Sequence, residues 1–160
     1  MDTKRVIAFK LSSGEYGCFS NFYKKIIIAE GIKFKTSEHY YHYRKMKFLQ
    51  ALGEPVTDEF IQLIIDAPTA KKTKRLGHTR MNNIDKWDEI KVEEMMIILR
   101  AKFQYERFRD ILIETGDAII VENSYFDTFW GCGNYKNKGL NMLGKCLMRL
   151  RDELTQMNED

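Results

Sequence analysis

At Ser37 the hydrophobic period of the chain changes, and that change limits the possible folds more than any other feature. Before it, "RVIAFK", "YGCFSNFY" and "KIIIAEGIKFKT" are short apolar runs punctuated by Ser-Ser-Gly and by Gly31, a pattern that predicts short strands in a small sheet, the last run folded as a hairpin. From Ser37 onward apolar residues recur at helical spacing, with further helices predicted at 56–66, 69–76, 88–105 and 106–114. "DAIIVENS" returns briefly to strand. A last helix runs from about Asn141 to Leu154, where Leu140, Leu143, Leu147, Leu150 and Leu154 form one stripe expected to be buried. Strands followed by many helices in 160 residues, a length that buries a core without staples, predict one α+β domain over residues 1–160, mainly helical with a small amino-terminal sheet.

Composition excludes several classes of function. Apolar residues at 44% and charged residues at 31% are ordinary for a soluble globular chain, and a formal charge of +3 does not by itself announce a nucleic-acid binder. Cys18, Cys132 and Cys146 are odd in number and form no CxxC pair, which disfavours a disulfide framework and favours a reducing, cytoplasmic setting. The first apolar run is broken by Lys10, and no later window resembles a membrane span, so no membrane partner is expected.

The helix "TSEHYYHYRKMKFLQAL" carries charge on an unusual face. At about 100° per residue, Glu38, Tyr41, His42, Lys45, Phe48, Leu49 and Leu52 share one stripe. Tyr40, Tyr43, Arg44, Lys47 and Gln50 fall opposite and are expected to face solvent. A buried charge is costly unless it is paired or changes protonation. Glu38 and Lys45 therefore form a structural ion pair, or Glu38 favours the helix start after a Thr36 or Ser37 cap, or a cleft opens onto an acid, an imidazole and an amine. His39 and His42 lack an HExxH pattern and a nearby cysteine cluster, so no metal is expected, and His39 reads as a partly exposed capping or packing residue.

"FDTFWGCGNYKNKGLNMLG" sets one carboxylate, Asp127, and the ring of Trp130 among Gly131, Gly133 and Gly139, just before the last helix. Glycines permit close backbone approach and a helix start offers N–H groups, a combination suited to phosphate. Trp130 could stack on a heterocycle and Asp127 could address a ribose hydroxyl or an anomeric carbon. The other reading is an ordinary core aromatic in an irregular loop. "AKKTKRLGHTR" gathers Lys71, Lys72, Lys74, Arg75 and Arg80, either a solvated helix face or cations for a pyrophosphate.

In order along the chain, "FSNFY", "SEHYYHYRKM", "APTAKKTKRLGHTR", "WDEIKVEEMMIILRAKF", "LIETGDAIIVENSYFDTFWGCG" and "GLNMLGKCLMRLRDEL" closely resemble the NADAR family, the YbiA-like N-glycosidases. The resemblance implies an α+β, mainly helical fold. It also implies cleavage of an N-glycosidic bond to a phosphorylated ribose, in early riboflavin-pathway intermediates or in ADP-ribose attached to guanine. By position, it places catalytic groups at Glu38, Lys45 and Asp127, and substrate-binding groups at Asn21, Phe22, Trp87, Trp130, Gly131 and Gly133. The charged stripe and the glycine loop would then be two walls of one cleft.

Hydrolysis of an N-ribosyl bond passes through an oxocarbenium-like state that needs negative charge near the anomeric carbon, a proton for the departing nitrogen and a nucleophile. Glu38 and Asp127 can divide the acid and base roles, or a desolvated Lys45 can form a Schiff base with the opened sugar. Neither route requires a cofactor. A noncatalytic ADP-ribose-binding module is the alternative from another class. A nucleic-acid binder acting through residues 71–80 is a further one, and ADP-ribosylated DNA or RNA as substrate would merge that reading with the glycosidase.

Overall fold

The computed structural model describes residues 3–79 and 81–160, and the chain falls into two compact units. One unit is Asn21–Ala101; the other joins the segment ending at Ser20 to Lys102–Asp160. Arg80, the last base of the run noted above, lies outside the described residues.

The Asn21–Ala101 unit begins with the predicted hairpin. Strands β2 (Ile27–Ala29) and β3 (Ile32–Phe34) pair antiparallel with Ala29 opposite Ile32. The two residues between them, Glu30 and Gly31, both have positive φ, the geometry of a type I′ turn that matches the twist of the flanking strands. Helix α1 (Ser37–Ala51) follows, then α2 (Asp58–Asp66) and α3 (Ala70–Gly77). All three begin at a threonine, Thr36, Thr57 or Thr69, whose hydroxyl accepts a backbone N–H of the first turn and satisfies one of its orphan donors. Helix α4 (Ile84–Lys102) starts four residues before the predicted position. Glu54, buried, accepts the Asn83 backbone N–H and side-chain amide just ahead of that start, so a carboxylate distant in sequence anchors it.

Helix α1 is buried on nearly all sides, which corrects the expected solvent face. Phe34 of β3 stacks on Tyr40 with centroids 4.5 Å apart and meets Tyr43 at 5.1 Å, covering the side that periodicity alone assigns to water. Arg44 is half-buried and bonds both Glu94 and Glu30. Leu52, placed on the inner stripe by spacing, is exposed.

In the other unit, β1 (Val6–Phe9) and β4 (Ile119–Glu122) pair in parallel, with Val6 opposite Ile119. Ile7, Phe9 and Ile120 point inward while Val6 and Ile119 point out, the two-residue period of a half-buried strand. The expected strand "YGCFSNFY" instead contains a 3-10 turn at Gly17–Phe19. The amides of Gly17, Phe19 and Ser20 bond carbonyls three residues back, and a Cβ on Gly17 would lie 2.6 Å from the Ser12 oxygen, so the chain coils tightly there. The predicted strands consequently belong to two separate two-stranded sheets.

Helix α5 (Glu106–Glu114) packs on α6 (Met142–Glu159), and α6 packs on β4. Leu143, Leu147 and Leu150 are buried as expected, but Leu140 precedes the helix and is half exposed, and α6 continues beyond Leu154. Buried Arg151 joins the stripe by donating to the Thr115 hydroxyl and the Ala118 carbonyl.

Candidate active site

The site residues expected from sequence divide between the two units, and each group has its own construction. In Asn21–Ala101 the centre is α1. Glu38 is 8% exposed in the first turn, where its backbone N–H donates to the Asn21 carbonyl at 3.0 Å. Its Oε1 lies 2.9 Å from Nε2 of His42, one turn on. Burial pushes the Glu38 carboxyl up, but the bond and the attraction from His42, with smaller attractions from Lys74 and His78, outweigh it and hold the group below the ordinary carboxylate value.

Lys45 is not bonded to Glu38. Its ammonium donates to the Gly77 carbonyl at 2.8 Å, at the end of α3. Burial lowers the Lys45 pKa, opposed by the smaller attractions of Asp88 and Glu38. Of the readings open for this stripe, the Glu38–Lys45 ion pair thus gives way to two separate bonds, both near the end of α3.

His42 is 1% exposed, and its Nδ1 has no hydrogen-bond partner among the described residues. A Cβ built on Gly77 would stand 1.9 Å from that nitrogen, so the glycine is what lets the imidazole lie against the α3 backbone. His78 faces the ring edge-on at 5.9 Å. The His42 bond was legible as an i,i+4 pair on a helix, whereas the Gly77 contact had no signal in sequence beyond a glycine closing α3.

Asn21, 8% exposed, donates its side-chain amide to the Met95 sulfur, and its Oδ1 is a second buried polar atom without a partner among the described residues. Lys74 lies 5.6 Å over the ring of Phe22. Phe22 also lines a cavity of about 350 Å³ with Lys24, Lys25, Lys35, His39 and Thr69, a lining that contains three lysines and no carboxylate. Lys35 is engaged with the Asp66 and Ala67 carbonyls at 2.8 and 3.0 Å. Lys71, Lys72 and Arg75 of the basic run are exposed on α3.

Trp87 is 1% exposed and donates its indole N–H to the Tyr41 hydroxyl at 3.1 Å, which places it in the packing behind α1. His39 is fully buried rather than partly exposed. Its two ring nitrogens meet the Thr36 hydroxyl and the Ala67 carbonyl at 2.7 and 2.9 Å, tying the cap of α1 to the end of α2.

In the other unit, Asp127 and Trp130 are half-buried. The Asp127 Oδ1 accepts the backbone N–H groups of Phe129 and Trp130 at 3.0 and 2.8 Å, the work of a turn-forming carboxylate. The Trp130 ring meets Phe129 edge-on at 4.8 Å. The glycines are filled by backbone: a Cβ at Gly133 would meet the Asn137 oxygen at 2.0 Å, and one at Gly139 the Gly131 oxygen at 2.2 Å. A Cβ at Gly131 would meet the Ser124 Cβ at 2.7 Å and the Asp127 oxygen at 2.8 Å.

The start of α6, expected to offer N–H groups to a phosphate, is already occupied. Met142 and Leu143 donate to the Phe129 and Trp130 carbonyls, and Gly133 and Gly139 donate to Ser124 and Cys132. Asn141, in the left-handed conformation, bridges the Glu122 N–H and the Ile120 carbonyl, docking the helix on β4.

Residues 8–155 match the NADAR domain family. The chain is 38% identical over 144 residues to an N-glycosidase of Nostoc punctiforme, covering 89% of this chain and 88% of that protein. It is 36% identical over 151 residues to N-glycosidase YbiA of Escherichia coli, covering 93% and 88%. The NMR structure of E. coli YbiA matches the whole chain and 90% of its own with a TM-score of 0.82 at 31% identity. The riboflavin biosynthesis protein PYRR of Zea mays is 30% identical over 160 residues, and the match spans 25% of that longer protein.

Proposed function

This chain belongs to the NADAR family and is a hydrolase of N-glycosyl bonds, and on that premise we propose that its substrate joins a phosphorylated ribose to a nitrogenous base. The candidates are ADP-ribose carried on guanine, free or in DNA or RNA, and the ribosylamino-pyrimidine phosphates of the riboflavin pathway. The riboflavin biosynthesis names of the maize and Vibrio vulnificus relatives support the second candidate.

The observation that carries the reading is a buried carboxylate held as an anion, Glu38, with a buried amine, Lys45, on the same helix. An anion near the anomeric carbon favours the oxocarbenium-like state. The C1′–N bond breaks with its electron pair leaving on nitrogen, which takes a proton, while water bonds to C1′ and gives up a proton. In this reading Glu38 and Asp127 divide the base and acid roles. The lysine-lined cavity beside Phe22 supports a phosphorylated substrate, with Lys24 and Lys25 as the cations that meet it. Trp130 is assigned to the planar base, and Trp87 to supporting Tyr41 from behind.

The lowered pKa of Lys45 favours a covalent variant of the same reaction. Its neutral amine bonds C1′, the base departs with the electron pair and a proton, the ring opens to an imine, and water hydrolyses the imine to free the sugar and restore the lysine. Borohydride added during turnover should then leave a sugar on Lys45, and Lys45→Arg should be inactive. An active Lys45→Arg enzyme with no adduct returns the chemistry to the two carboxylates.

Incubation with ADP-ribosylated guanosine and with the phosphoribosylamino-pyrimidine, followed by mass analysis, tests the substrate. Release of free base from one of them is the expected result. Tight binding without release would make the chain a nucleotide-binding module instead.

A further inference from the structure

We propose that His42 is a positioning residue of the N-glycosidase reaction: by donating Nε2–H to Glu38 while Gly77 covers its other nitrogen, it assigns Glu38 to the anionic, proton-accepting role. The proposal rests on the reading that Glu38 acts on the substrate.

A carboxylate only accepts hydrogen bonds, so the 2.9 Å contact between Nε2 and Glu38 Oε1 requires the proton to sit on Nε2. In the neutral ring Nδ1 is then a bare lone pair. It is buried, has no partner among the described residues, and lies so close to the α3 backbone that a single Cβ at Gly77 would overlap it. A substrate proton cannot reach that nitrogen, which separates this pair from an Asp–His arrangement in which the imidazole is the base. The ring therefore acts through Glu38. Its edge-on contact with Tyr41 at 5.1 Å and the opposed His78 ring fix its plane, so the donor direction is set by packing.

The other charged groups around the pair favour the same state of Glu38. Lys74 of α3 and His78 beyond its end face the carboxylate, and Lys45 stands two turns along α1 with Asp88 and Lys91 of α4 about it. Removing the His42 donor leaves desolvation opposed only by these more distant charges. Glu38 would then hold its proton to higher pH and become the acid member of a carboxylate pair, a role for which a raised carboxyl is suited.

The test uses the full-length protein without substrate. The Glu38 carboxyl is followed by carbon NMR during a pH titration, its signal assigned by its loss in Glu38→Gln. Nitrogen NMR of the wild-type imidazoles locates the His42 proton. His42→Leu, which has no donor, should raise the Glu38 titration by about one unit or more, a tenfold change in its proton affinity. His42→Gln, which keeps an N–H, should remain within about half a unit of wild type. With a cleaved substrate in hand, the acid limb of kcat/KM should move upward in His42→Leu and return in His42→Gln.

A Glu38 titration unmoved by His42→Leu overturns the proposal. If His42→Leu does not fold, a wild-type proton on Nδ1 instead of Nε2 does the same, as does a Glu38 titration above the ordinary carboxylate range. The titration needs no turnover, so the two readings fail separately. A shifted Glu38 in an enzyme that cleaves neither candidate substrate refutes the proposed substrate alone, and cleavage with an unshifted Glu38 refutes the role of His42 alone.

Discussion

The α1 face and the loop from Asp127 to Gly144 both carry residue types suited to a sugar phosphate, yet they are built in opposite ways. On α1, polar side chains are driven into the interior, and Ser37 Oγ, His42 Nδ1 and the neighbouring Asn21 Oδ1 have no hydrogen-bond partner among the described residues. In the loop, the amides of Gly133, Gly139, Met142 and Leu143 are satisfied by backbone carbonyls, and the space beside Gly133 and Gly139 is filled by backbone. Native interiors pair nearly all buried polar groups, so incomplete pairing around α1 sets that face apart from the loop. Glycine density in the loop marks close packing of chain on chain.

The largest effect that would break this contrast is at Glu38. Glu38→Gln should reduce base release by about 10²–10⁴-fold while the protein still melts cooperatively, because shape is kept and only the ionisable group is lost. Turnover near wild type would return the α1 face to a structural role. The same carboxyl links folding to pH. Held below its ordinary value, Glu38 adds stability that is present above the unfolded carboxylate range and is lost as pH falls through its folded value. Thermal melts at descending pH should show that loss in wild type and less of it in Glu38→Gln.

Two glycine substitutions sharpen the comparison. Gly77→Ala forces a Cβ onto the His42 ring and should destabilise by about 1–3 kcal/mol, while also moving the Glu38 titration. Gly139→Ala forces a Cβ onto the Gly131 carbonyl, and because a backbone oxygen cannot rotate aside, it should cost at least as much by chemical denaturation without altering Glu38. A benign Gly139→Ala would mean that the loop relaxes easily and is not the self-filled structure described.

The unit that holds the loop also has a strongly perturbed group, but elsewhere. Lys102, 3% exposed, donates to the Ser20 carbonyl at 2.7 Å, and burial brings its pKa down to about 7. The unfolded chain keeps that proton up to the ordinary value of 10.5, so between those values it binds more protons than the folded chain and stability rises with pH. The slope from this one group approaches about 1.4 kcal/mol per pH unit at most. Denaturation between neutral pH and pH 9 should show the rise in wild type and a flatter line in Lys102→Met; equal slopes would remove Lys102 from the account.

The smallest effects on stability are at Asp127. Asp127→Asn keeps the oxygen that accepts the Phe129 and Trp130 amides and should change stability by only a few tenths of a kcal/mol, whereas Asp127→Ala should cost about 1 kcal/mol, the worth of a lost cap. If Asp127→Asn also leaves base release intact, the carboxylate is a turn residue and the chemistry belongs to α1.

The sequence by itself determined the helices, the Glu30–Gly31 hairpin and the family. Periodicity and threonine caps are local properties, and an ordered set of motifs survives without any knowledge of packing. It also exposed Glu38 and Lys45, since charges on an apolar stripe are visible from spacing alone. The partners of those charges were decided only by tertiary structure. Lys45 reaches Gly77, thirty-two residues away, and His42 lies against the same glycine, a meeting set by how α3 packs on α1. The face expected in water was likewise closed by Phe34, from a strand that periodicity places in its own hairpin. In the loop, composition could not separate a backbone bared for phosphate from one bared for its own turns. Both need glycine, and only the hydrogen bonds between distant amides and carbonyls distinguish them.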